Sequence, residues 1–562
     1  MLSVKGILFL YHALKRKVKL LISDAKETWA RKTSSNSNCV WQLVKTLKGS
    51  NSSVNSNILL EDGSFNYLLN LFKSHLNSNE PIHVFEFDKD IGLDIQVSPY
   101  SILKIIDKMS AKKTCGIEGL ITSFIKHIAP IISVPLSLIV NKSFKNGIFP
   151  DLWKESFIIP VPKCSNPSLD DFRPITITSI FSKIIEKVFL FHYKDNLIAH
   201  YGSNQHGYRP YASTNTALAE FNEIVTSALD NKSVKAVRVI FHDLAKAFDK
   251  VRHDLLIKMV IDKLGLSVGK FLHSYLTGRK TRLKIDGSFS DFIDCISSVS
   301  AGSIVGPYLF NFFVGELVVI FSCAETTAKI IMYCDDLATF ESLPLPDSTT
   351  HVTATVLIDN WLLNYDLISN PSKSFQMFYN KNSCVNDYAV EGIKIVKEHQ
   401  YLGVFLSDDF SLKNHVNRVL AKASKSIFIL RYLKKQNYIT KKELMNVYHC
   451  LFLSHILYAS TVLTNISCND CLRINRLIKR CHNVICFRLC NCSLFLTFEQ
   501  LLRQRNSRLF LNISKNCLSP LNTYLPEKLP SGRFRLNYVA HKYRAESFMV
   551  KYCQMYNENF ER

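Results

Sequence analysis

Residues 330–340 read Ile-Ile-Met-Tyr-Cys-Asp-Asp-Leu-Ala-Thr-Phe, an acidic pair between two apolar runs. Short apolar runs of this kind are typical of buried strands, so the stretch predicts a β-hairpin that carries Asp335 and Asp336. Two adjacent carboxylates repel each other and strands disfavour Asp, which suggests that a divalent cation relieves the repulsion. The alternative is an ordinary polar turn, because an Asp pair alone is a short and common motif.

A third acidic residue follows another strand-like run, about ninety residues earlier in the chain. Residues 236–241 read Ala-Val-Arg-Val-Ile-Phe, and Asp243 comes just after them, before an expected helix. An acid at the end of a strand points into a cleft. Asp243 and Asp335 together could hold two Mg²⁺ ions, which prefer oxygen ligands and phosphate substrates. Two such ions can stabilise an attacking 3′-oxygen and a leaving pyrophosphate.

Composition narrows the class of protein. Hydrophobic residues make up 47% of the 562 residues, which favours a globular chain over a disordered one. The net charge of +22 favours an anionic partner, most often nucleic acid, although a ribosome-associated or merely basic protein is the alternative.

No apolar run approaches the ~20 residues of a membrane span, and the basic cluster at 15–17 follows the apolar start, which is the wrong order for a signal peptide. We therefore expect an intracellular protein, nuclear or cytoplasmic, with no membrane partner and with its 16 cysteines as reduced thiols.

Several motifs together resemble one family. Residues 333–336 (Tyr-Cys-Asp-Asp) resemble the Tyr-x-Asp-Asp box of reverse transcriptases, and residues 241–249 resemble the first aspartate motif of the non-LTR (LINE, jockey-like) retrotransposon enzymes. Six further segments resemble other motifs of that family and follow in its order: 147–150, 171–175, 204–210, 302–310, Asn370 with Lys373, and 401–404. The resemblance covers roughly residues 35–540.

The resemblance implies an α+β fold shaped as a right-hand polymerase. Its expected parts are a basic helical extension and linker, fingers, an antiparallel-sheet palm, a helical thumb and a basic C-terminal segment; they span residues 1–95, 96–200, 201–408, 409–515 and 516–562. Within the fingers we expect the prolines, among them Pro130 and Pro135, to break the helical segments. The element is expected to lack an endonuclease domain and to need a nuclease in trans.

The implied function is that of an RNA-directed DNA polymerase. It would extend a primer 3′-hydroxyl with deoxynucleoside triphosphates on an RNA template, using two Mg²⁺ ions, with Mn²⁺ as the alternative ion. The resemblance makes Asp243 and Asp335 metal ligands, Asp336 a second and weaker carboxylate, and the Leu244 carbonyl a further ligand. Phe248 stands where the family places an aromatic steric gate against a ribose 2′-hydroxyl; the alternative is core packing, the commoner fate of a Phe.

Contacts to nucleic acid and nucleotide are also implied. Lys163, Arg173 and Arg209 would contact the triphosphate or the template backbone, and each alone could equally be a solvated surface charge. Gly302 would let the backbone approach the nascent base pair. Tyr401, Leu402 and Gly403 resemble the primer-grip turn. In the thumb, Arg418, Lys422 and Lys425 share one helical face, which suits contacts to a duplex backbone.

Some positions depart from the family's pattern. Ser300-Ala301 replaces a Pro-Gln pair, His242 replaces an apolar residue, and Gly315-Glu316 replaces Asn-Asp. These changes favour a rival function, a catalytically inactive nucleic-acid-binding relic. A domesticated enzyme of the maturase or telomerase kind is a second rival, whereas an RNA-dependent RNA polymerase is opposed by Phe248.

A cysteine-rich stretch raises the alternative of a zinc site. Its members are Cys468, Cys471, Cys481, His482, Cys486, Cys490 and Cys492. The first two have the spacing of zinc ligands. Residues 472–479, which lie between Cys471 and Cys481, have the pattern of a smooth amphipathic helix. This pattern favours structural cysteines over a zinc knuckle.

Overall fold

The computed structural model describes most of the chain. The described residues are 41, 44, 64–76, 83, 85–111, 114–164, 167–300, 302–324, 326–343, 353–380, 388–436, 439–486, 496–536, 539 and 542–559. Most of the expected 1–95 extension therefore lies outside them, as do Ala301, Cys490 and Cys492. The chain forms two compact units, one of Val54–Gly403 with Asn512–Arg562, the other of Val404–Leu511 with Met1–Ser53.

The larger unit contains two five-stranded sheets. The first has the order β2-β1-β4-β5, with β6 also paired to β4. Its strands are β1 (Glu155–Pro162), β2 (Phe172–Thr178), β4 (Arg279–Ile285), β5 (Ser288–Phe289) and β6 (Ile293–Cys295). β1 is antiparallel to β2 and parallel to β4. Helix α1 (Ser64–Leu76) covers this sheet and buries Leu68 and Phe72 against Ile158 and Leu283. Burial of a side chain of this size stabilises the folded protein by roughly 1.5–3 kcal/mol.

The second sheet carries the predicted hairpin. Its order is β10-β9-β3-β8-β7. The strands are β3 (Ala236–His242), β7 (Lys329–Tyr333), β8 (Asp336–Leu343), β9 (Phe375–Asn380) and β10 (Lys394–Ile395). Every residue of β3 is buried, which explains its continuous apolar run. β8 pairs antiparallel with both β3 and β7, so the hairpin β7–β8 lies directly beside the strand that ends at Asp243.

Helices pack around the sheets of this unit, and all of them except α5 contribute to one apolar core. They are α2 (Pro99–Lys108), α3 (Thr122–Asn146), α4 (Ile180–Ala199), α5 (Thr214–Asp230), α6 (His253–Leu264), α7 (Leu266–Leu276), α8 (Gly306–Cys323) and α9 (Ala354–Asn364). Phe271 of α7 lies within 5.4 Å of the ring centroids of both Phe144 and Phe189, which ties α3, α4 and α7 together.

Helix α3 corrects the expectation that prolines break the chain here. It runs without interruption from Thr122 to Asn146 through Pro130 and Pro135. Both prolines lie on its exposed face, where water can satisfy the carbonyl groups that lose a partner.

Two helices also correct the expectation about apolar length. By length and composition alone, α3 and α8 could each cross a membrane, with one third and two thirds of their most apolar stretch buried inside the protein. Isolated polar residues interrupt both stretches, which is why they did not stand out as apolar runs. Core helices of soluble proteins pass the same test, so the absence of a membrane partner stays a prediction.

The smaller unit is mainly helical in its described part. It contains β12 (Val404–Ser407), α10 (Lys413–Lys434), α11 (Lys441–Val447), a π-helical stretch (Tyr448–Leu453), a short helical turn (Ser454–Ile456), α12 (Cys468–Ile485) and most of α13 (Phe498–Lys515). Ser426 of α10 donates to the Leu451 carbonyl at 3.1 Å, which joins α10 to the π-helical stretch. On α10, Arg418, Lys422 and Lys425 are exposed, as the helical spacing predicted, while the apolar face is buried.

The cysteine-rich stretch begins with helix α12, as its pattern predicted. Cys468 is exposed, Cys471 is partly buried, and Cys481 and Cys486 are buried. Burial raises the pKa of the Cys481 thiol to about 12, which disfavours the thiolate that zinc requires.

The C-terminal residues show more order than their sequence indicated. Residues Pro520–Tyr524 form a 3₁₀ turn, followed by α14 (Lys542–Ala545) and α15 (Phe548–Asn559). These elements belong to the larger unit. The remaining strand of the larger unit is β11 (Glu398–Tyr401).

Candidate active site

The acidic pair lies at the tip of the β7–β8 hairpin. Tyr333 pairs with Asp336, which leaves Cys334 and Asp335 as the two turn residues. Cys334 has a φ of 58°, in the left-handed region that residues other than glycine seldom adopt. A turn of this kind needs support from its surroundings to persist.

Gln205 supplies that support, and the sequence did not single it out. Its fully buried side-chain oxygen accepts hydrogen bonds from the backbone N–H of Cys334 at 3.0 Å and of Gly207 at 2.8 Å. A Cβ on Gly207 would lie 2.4 Å from the Cys334 sulfur, so only glycine fits there. The one available signal was that both residues lie in the 204–210 motif.

The neighbouring backbone fixes this support to strand β7. The His206 N–H donates to the Met332 carbonyl at 2.8 Å, and the Met332 N–H donates to the Asn204 carbonyl at 3.0 Å. Residues 204–206 therefore pair with the free edge of β7, two residues before the turn. This pairing places Gln205 under the turn.

Asp243 comes next to the pair through strand register. His242 pairs with Leu337, so Asp243 follows at the level of Asp336. The Asp243 N–H donates to the Ser374 hydroxyl at 3.2 Å, and the Asp243 carbonyl accepts from the Asn370 N–H at 2.8 Å. The 370–374 segment, which the resemblance placed after the hairpin, thus holds the backbone of the first aspartate.

The three carboxylates share an environment that disfavours negative charge. Asp335 and Asp336 are exposed at the tip and Asp243 is half-buried, yet loss of hydration raises the pKa of all three. The pKa of Asp336 rises to about 6, because desolvation is followed by repulsion from Asp335 and then from Asp243. In the part of the chain that the structure describes, no side chain donates a hydrogen bond to any of these three carboxylates.

Three cationic side chains act on the same carboxylates. Lys373 and Lys163 each lower the pKa of Asp243, against the larger effect of desolvation. Arg173 lowers the pKa of Asp335 in the same way. Arg173 is exposed on β2, and the Lys163 ammonium donates to the Asp170 carbonyl at 3.2 Å. The structure therefore brings Lys163 and Arg173 to the acidic site.

Arg209 bonds the backbone of two other segments of the larger unit. Its guanidinium donates to the Leu518 carbonyl at 3.1 Å and to the Gly202 carbonyl. Desolvation lowers its pKa, and it does not figure among the causes of the pKa shifts of the three aspartates. Two of its three guanidinium nitrogens bind backbone carbonyls, and contact of Arg209 with the triphosphate or the template backbone stays a prediction.

Gly302 is required for a reason that the sequence did not reveal. A Cβ there would lie 1.6 Å from the Thr176 carbonyl oxygen, so the glycine permits close approach to strand β2. Phe248 is partly buried and stacks on Phe310 with ring centroids 4.0 Å apart. Leu244 is buried, and the next N–H, of Ala245, donates to the Ile368 carbonyl. Roles for Phe248 as a gate and for the Leu244 carbonyl as a ligand stay predictions.

The predicted primer-grip turn approaches the site from β11. Leu402 and Gly403 both have positive φ, 45° and 79°, as a tight hairpin turn requires. Tyr401 is buried and packs on Phe241 at 5.2 Å between ring centroids. Burial raises the pKa of Tyr401, and the charge on Asp336 raises it further, so the phenol lies within the electrostatic reach of the hairpin.

Two of the departures from the family's pattern have structural explanations. His242 is buried, which lowers its pKa to about 3, and its Nε2 bonds the Thr339 hydroxyl at 2.9 Å, so it acts as a neutral core residue. A Cβ on Gly315 would lie 2.3 Å from the His200 carbonyl oxygen, which explains the glycine. Ser300 differs, because its hydroxyl is buried without a partner among the residues described.

The chemistry of the acidic site fits a divalent metal. As they stand, no three His, Cys, Asp or Glu side chains among the described residues are gathered closely enough to hold an ion. The three aspartates nevertheless supply only oxygen donors, which Mg²⁺ prefers. A cation between them would remove the repulsion that raises their pKa values.

Comparison with known proteins adds to this geometry. The family model described as reverse transcriptase (RNA-dependent DNA polymerase) matches residues 161–406. A probable RNA-directed DNA polymerase from transposon BS of Drosophila melanogaster is 24% identical over 384 residues, covering 64% of this chain and 42% of that protein. The RNA-directed DNA polymerase from mobile element jockey of Drosophila funebris is 23% identical, covering 64% and 41%. This chain thus spans about two fifths of the length of the curated relatives it matches.

The chain is also similar to a solved structure. Apo telomerase from Candida tropicalis is similar with 13% identity and a TM-score of 0.35, covering 66% of this chain and 68% of that one.

Proposed function

We propose that this chain, whose residues 161–406 form a reverse transcriptase domain of the non-LTR, jockey-like kind, is an RNA-directed DNA polymerase that extends a primer 3′-hydroxyl. The observation that supports this most is the register of the palm sheet. It sets Asp243, at the end of β3, level with the Asp335-Asp336 turn of the neighbouring hairpin. Reverse transcriptases use divalent metals, and here Asp243 and Asp335 would hold two Mg²⁺ ions, with Asp336 as the weaker ligand and Mn²⁺ as the alternative ion.

The bound metals would supply charge neutralisation for the attacking and leaving oxygens. Everything else in the step is positioning and fixed charge from the chain itself. Arg173 and Lys163 lie within electrostatic reach of the aspartates and would neutralise a deoxynucleoside triphosphate. Phe248, held flat against Phe310, would exclude a 2′-hydroxyl from the incoming nucleotide.

The nucleic-acid partners would be an RNA template and a DNA primer. The 401–403 turn would hold the primer end near Asp336. The charge of that carboxylate raises the pKa of the Tyr401 phenol, which supports this placement. The exposed Arg418, Lys422 and Lys425 of α10 would contact the duplex backbone without reading sequence. Action inside the cell, in nucleus or cytoplasm, and reliance on a nuclease in trans belong to the same proposal.

One observation favours the alternative of an inactive nucleic-acid-binding relic. The Ser300 hydroxyl is buried without a partner within the described residues, next to the position where the family's pattern has a glutamine. A relic would keep the basic helix α10 and its RNA affinity but would not synthesise DNA.

The test is primer extension on a poly(rA)/oligo(dT) duplex with Mg²⁺, comparing the full chain with Asp335→Asn. The proposal expects extension by the wild-type chain that disappears in the variant. Salt-sensitive RNA binding should be equal in both proteins, because α10 is unchanged. If the folded wild-type chain binds RNA without extending the primer, the relic is the correct function.

A further inference from the structure

The C-terminal segment returns to the palm and binds helix α5. Arg544 donates to the Asp230 carboxylate at 2.8 Å, and the Ser547 hydroxyl donates to Glu223 at 3.3 Å. Phe548 and Cys553 are buried. The segment is therefore fixed to α5 by ion pairs and apolar packing together.

A buried hydrogen-bonded chain runs from this segment towards the hairpin. The Tyr524 hydroxyl donates to one oxygen of Glu220 at 3.0 Å. The other oxygen of Glu220 bonds the His206 Nε2 at 2.6 Å, and the His206 Nδ1 bonds the Thr216 hydroxyl at 2.8 Å. Glu220 and His206 are each 1% exposed, so the bond between them is shielded from water.

His206 is the neighbour of Gln205, whose oxygen holds the Cys334 N–H in the turn. A second contact is made on the same segment, where Arg209 donates to the Leu518 carbonyl. A third is Asn204, whose side chain reaches Glu220 at 3.3 Å and the Ile330 carbonyl of β7 at 2.8 Å. Residues 204–209, which support the metal-binding turn, are thus bonded to the C-terminal segment directly at Arg209 and indirectly, through Glu220, at Asn204 and His206.

We propose that the C-terminal segment positions the catalytic turn, and that Tyr524 is its positioning residue, acting through Glu220 and His206 on the Gln205 support. This inference rests on the proposed function. The turn depends on this support because Cys334 has an unfavourable φ and its N–H has Gln205 as its acceptor. Loosening by a fraction of an ångström would move Asp335 away from its productive position.

A cavity beside Tyr524 guides the choice of variant. It has a volume of about 290 Å³ and is lined by Pro520, Thr523, Tyr524, Glu220 and Ile330, among others. Truncation to Ala would enlarge this cavity and destabilise the protein for reasons unrelated to the hydroxyl. Tyr524→Phe keeps the ring and removes only the donor to Glu220.

The matched control is Tyr100→Phe. Tyr100 is 63% exposed on α2 and is not part of the site. Both variants lose one phenol hydroxyl, so they separate the position of the hydroxyl from its chemistry.

The experiment measures two quantities on the full chain. The first is amide hydrogen exchange of a peptide spanning 330–340. The second is kcat for primer extension, measured as a function of the Mg²⁺ concentration. We expect Tyr524→Phe to speed exchange in that peptide and to lower kcat by about tenfold, since misplacement near 1 Å can lower a rate by about 10²-fold. Primer–template affinity and exchange of an α10 peptide should stay at wild-type values. Tyr100→Phe should match the wild type throughout.

Hairpin exchange equal to wild type in Tyr524→Phe would overturn the inference, whatever the activity. Faster hairpin exchange with unchanged kcat would also overturn it, because the tie would then be structural without a role in positioning. If neither wild type nor Tyr100→Phe extends the primer, the proposed function fails, and the exchange result still decides whether Tyr524 holds the turn.

Discussion

Two groups of carboxylates in the larger unit differ in what they bind. The hairpin carboxylates are Asp243, Asp335 and Asp336. The α5 carboxylates are Glu220, Glu223 and Asp230. Each α5 carboxylate accepts from a Tyr, His, Ser or Arg side chain, whereas none of the hairpin carboxylates has such a donor among the residues that the structure describes.

The comparison shows why a raised pKa is not by itself a sign of function. Desolvation raises the pKa of Glu223 as it does that of Asp336. Glu223 accepts hydrogen bonds from Arg544 and Ser547, which offset the cost of burying its carboxyl group, as is usual for structural carboxylates. The hairpin carboxylates repel one another, and Asp335 is hydrogen-bonded by its own backbone, not by a side chain. The absence of side-chain donors, more than the pKa, distinguishes the group prepared for a cation.

The largest expected effect separates the groups by activity. Asp243→Asn should lower the extension rate by about 10³-fold or more, since several kcal/mol of metal-supplied stabilisation correspond to about three tenfold steps. Asp336→Asn should lower it less. The melting temperature should be unchanged or slightly higher in both, because each change removes repulsion. Single-turnover extension and thermal unfolding measure this, and a variant of Asp243 that retains a tenth of the rate would contradict it.

The next effect separates the groups by stability. Glu220→Gln should destabilise the protein by about 1–3 kcal/mol, because the amide leaves one acceptor oxygen where the buried carboxyl group offers one oxygen each to His206 and Tyr524. Urea unfolding measures the change. Equal stability of Glu220→Gln and wild type would show that the α5 carboxylates are not structural and would remove the contrast.

The pH dependence sharpens the contrast further. The folded pKa of Asp336, about 6, lies above its ordinary 3.8. In the metal-free protein Asp336 is therefore half-protonated near pH 6. At subsaturating Mg²⁺, where protons compete with the metal, extension should decline as the pH falls below that point, by up to about tenfold for each pH unit. Because the folded state binds this proton more tightly than the unfolded state, the contribution to stability is present below pH 3.8 and is lost as the pH rises through 6.

The pH–rate profile of Glu220→Gln is the matched comparison. Its midpoint should equal that of the wild type, even if its rate is lower. If the midpoint of the pH–rate profile differs between Glu220→Gln and the wild type, the titration belongs to the α5 carboxylates and not to Asp336.

The smallest effect lies outside both groups. Replacing Lys422 and Lys425 of α10 by Gln should weaken RNA–DNA binding and reduce the slope of log K against log salt by about 2, one for each phosphate contact. Metal affinity should not change. Filter binding at several salt concentrations measures the slope, and an unaltered slope would argue that this exposed face does not contact nucleic acid.

Much of the fold followed from local sequence patterns. The hairpin at 330–340, the buried strand β3 and the exposed basic face of α10 were predicted and are confirmed, because alternating or continuous apolar spacing determines each of them locally. The family model described as reverse transcriptase matches residues 161–406, in agreement with the family that the motifs resemble, and the described part of the chain combines helices and sheets as the expected α+β class requires.

The parts that escaped prediction depend on distant contacts. Gln205 supports the turn only because residues 204–206 pair with the edge of β7. Arg209 binds a carbonyl 309 residues further along the chain, and Gly302 is fixed by the approach of Thr176. Motif resemblance marked Arg209 and Gly302 as important, but their physical partners become visible only when the chain is folded.

The most direct test of the central claim is Mn²⁺ binding measured by electron paramagnetic resonance, in the presence of primer–template and an incoming nucleotide. We predict two Mn²⁺ per wild-type chain, displaced by Mg²⁺, with binding lost in Asp243→Asn and Asp335→Asn but kept in Tyr100→Phe, whose side chain lies outside the site. Equal Mn²⁺ binding by the wild type and by both aspartate variants would contradict the assignment of the hairpin carboxylates as the metal site.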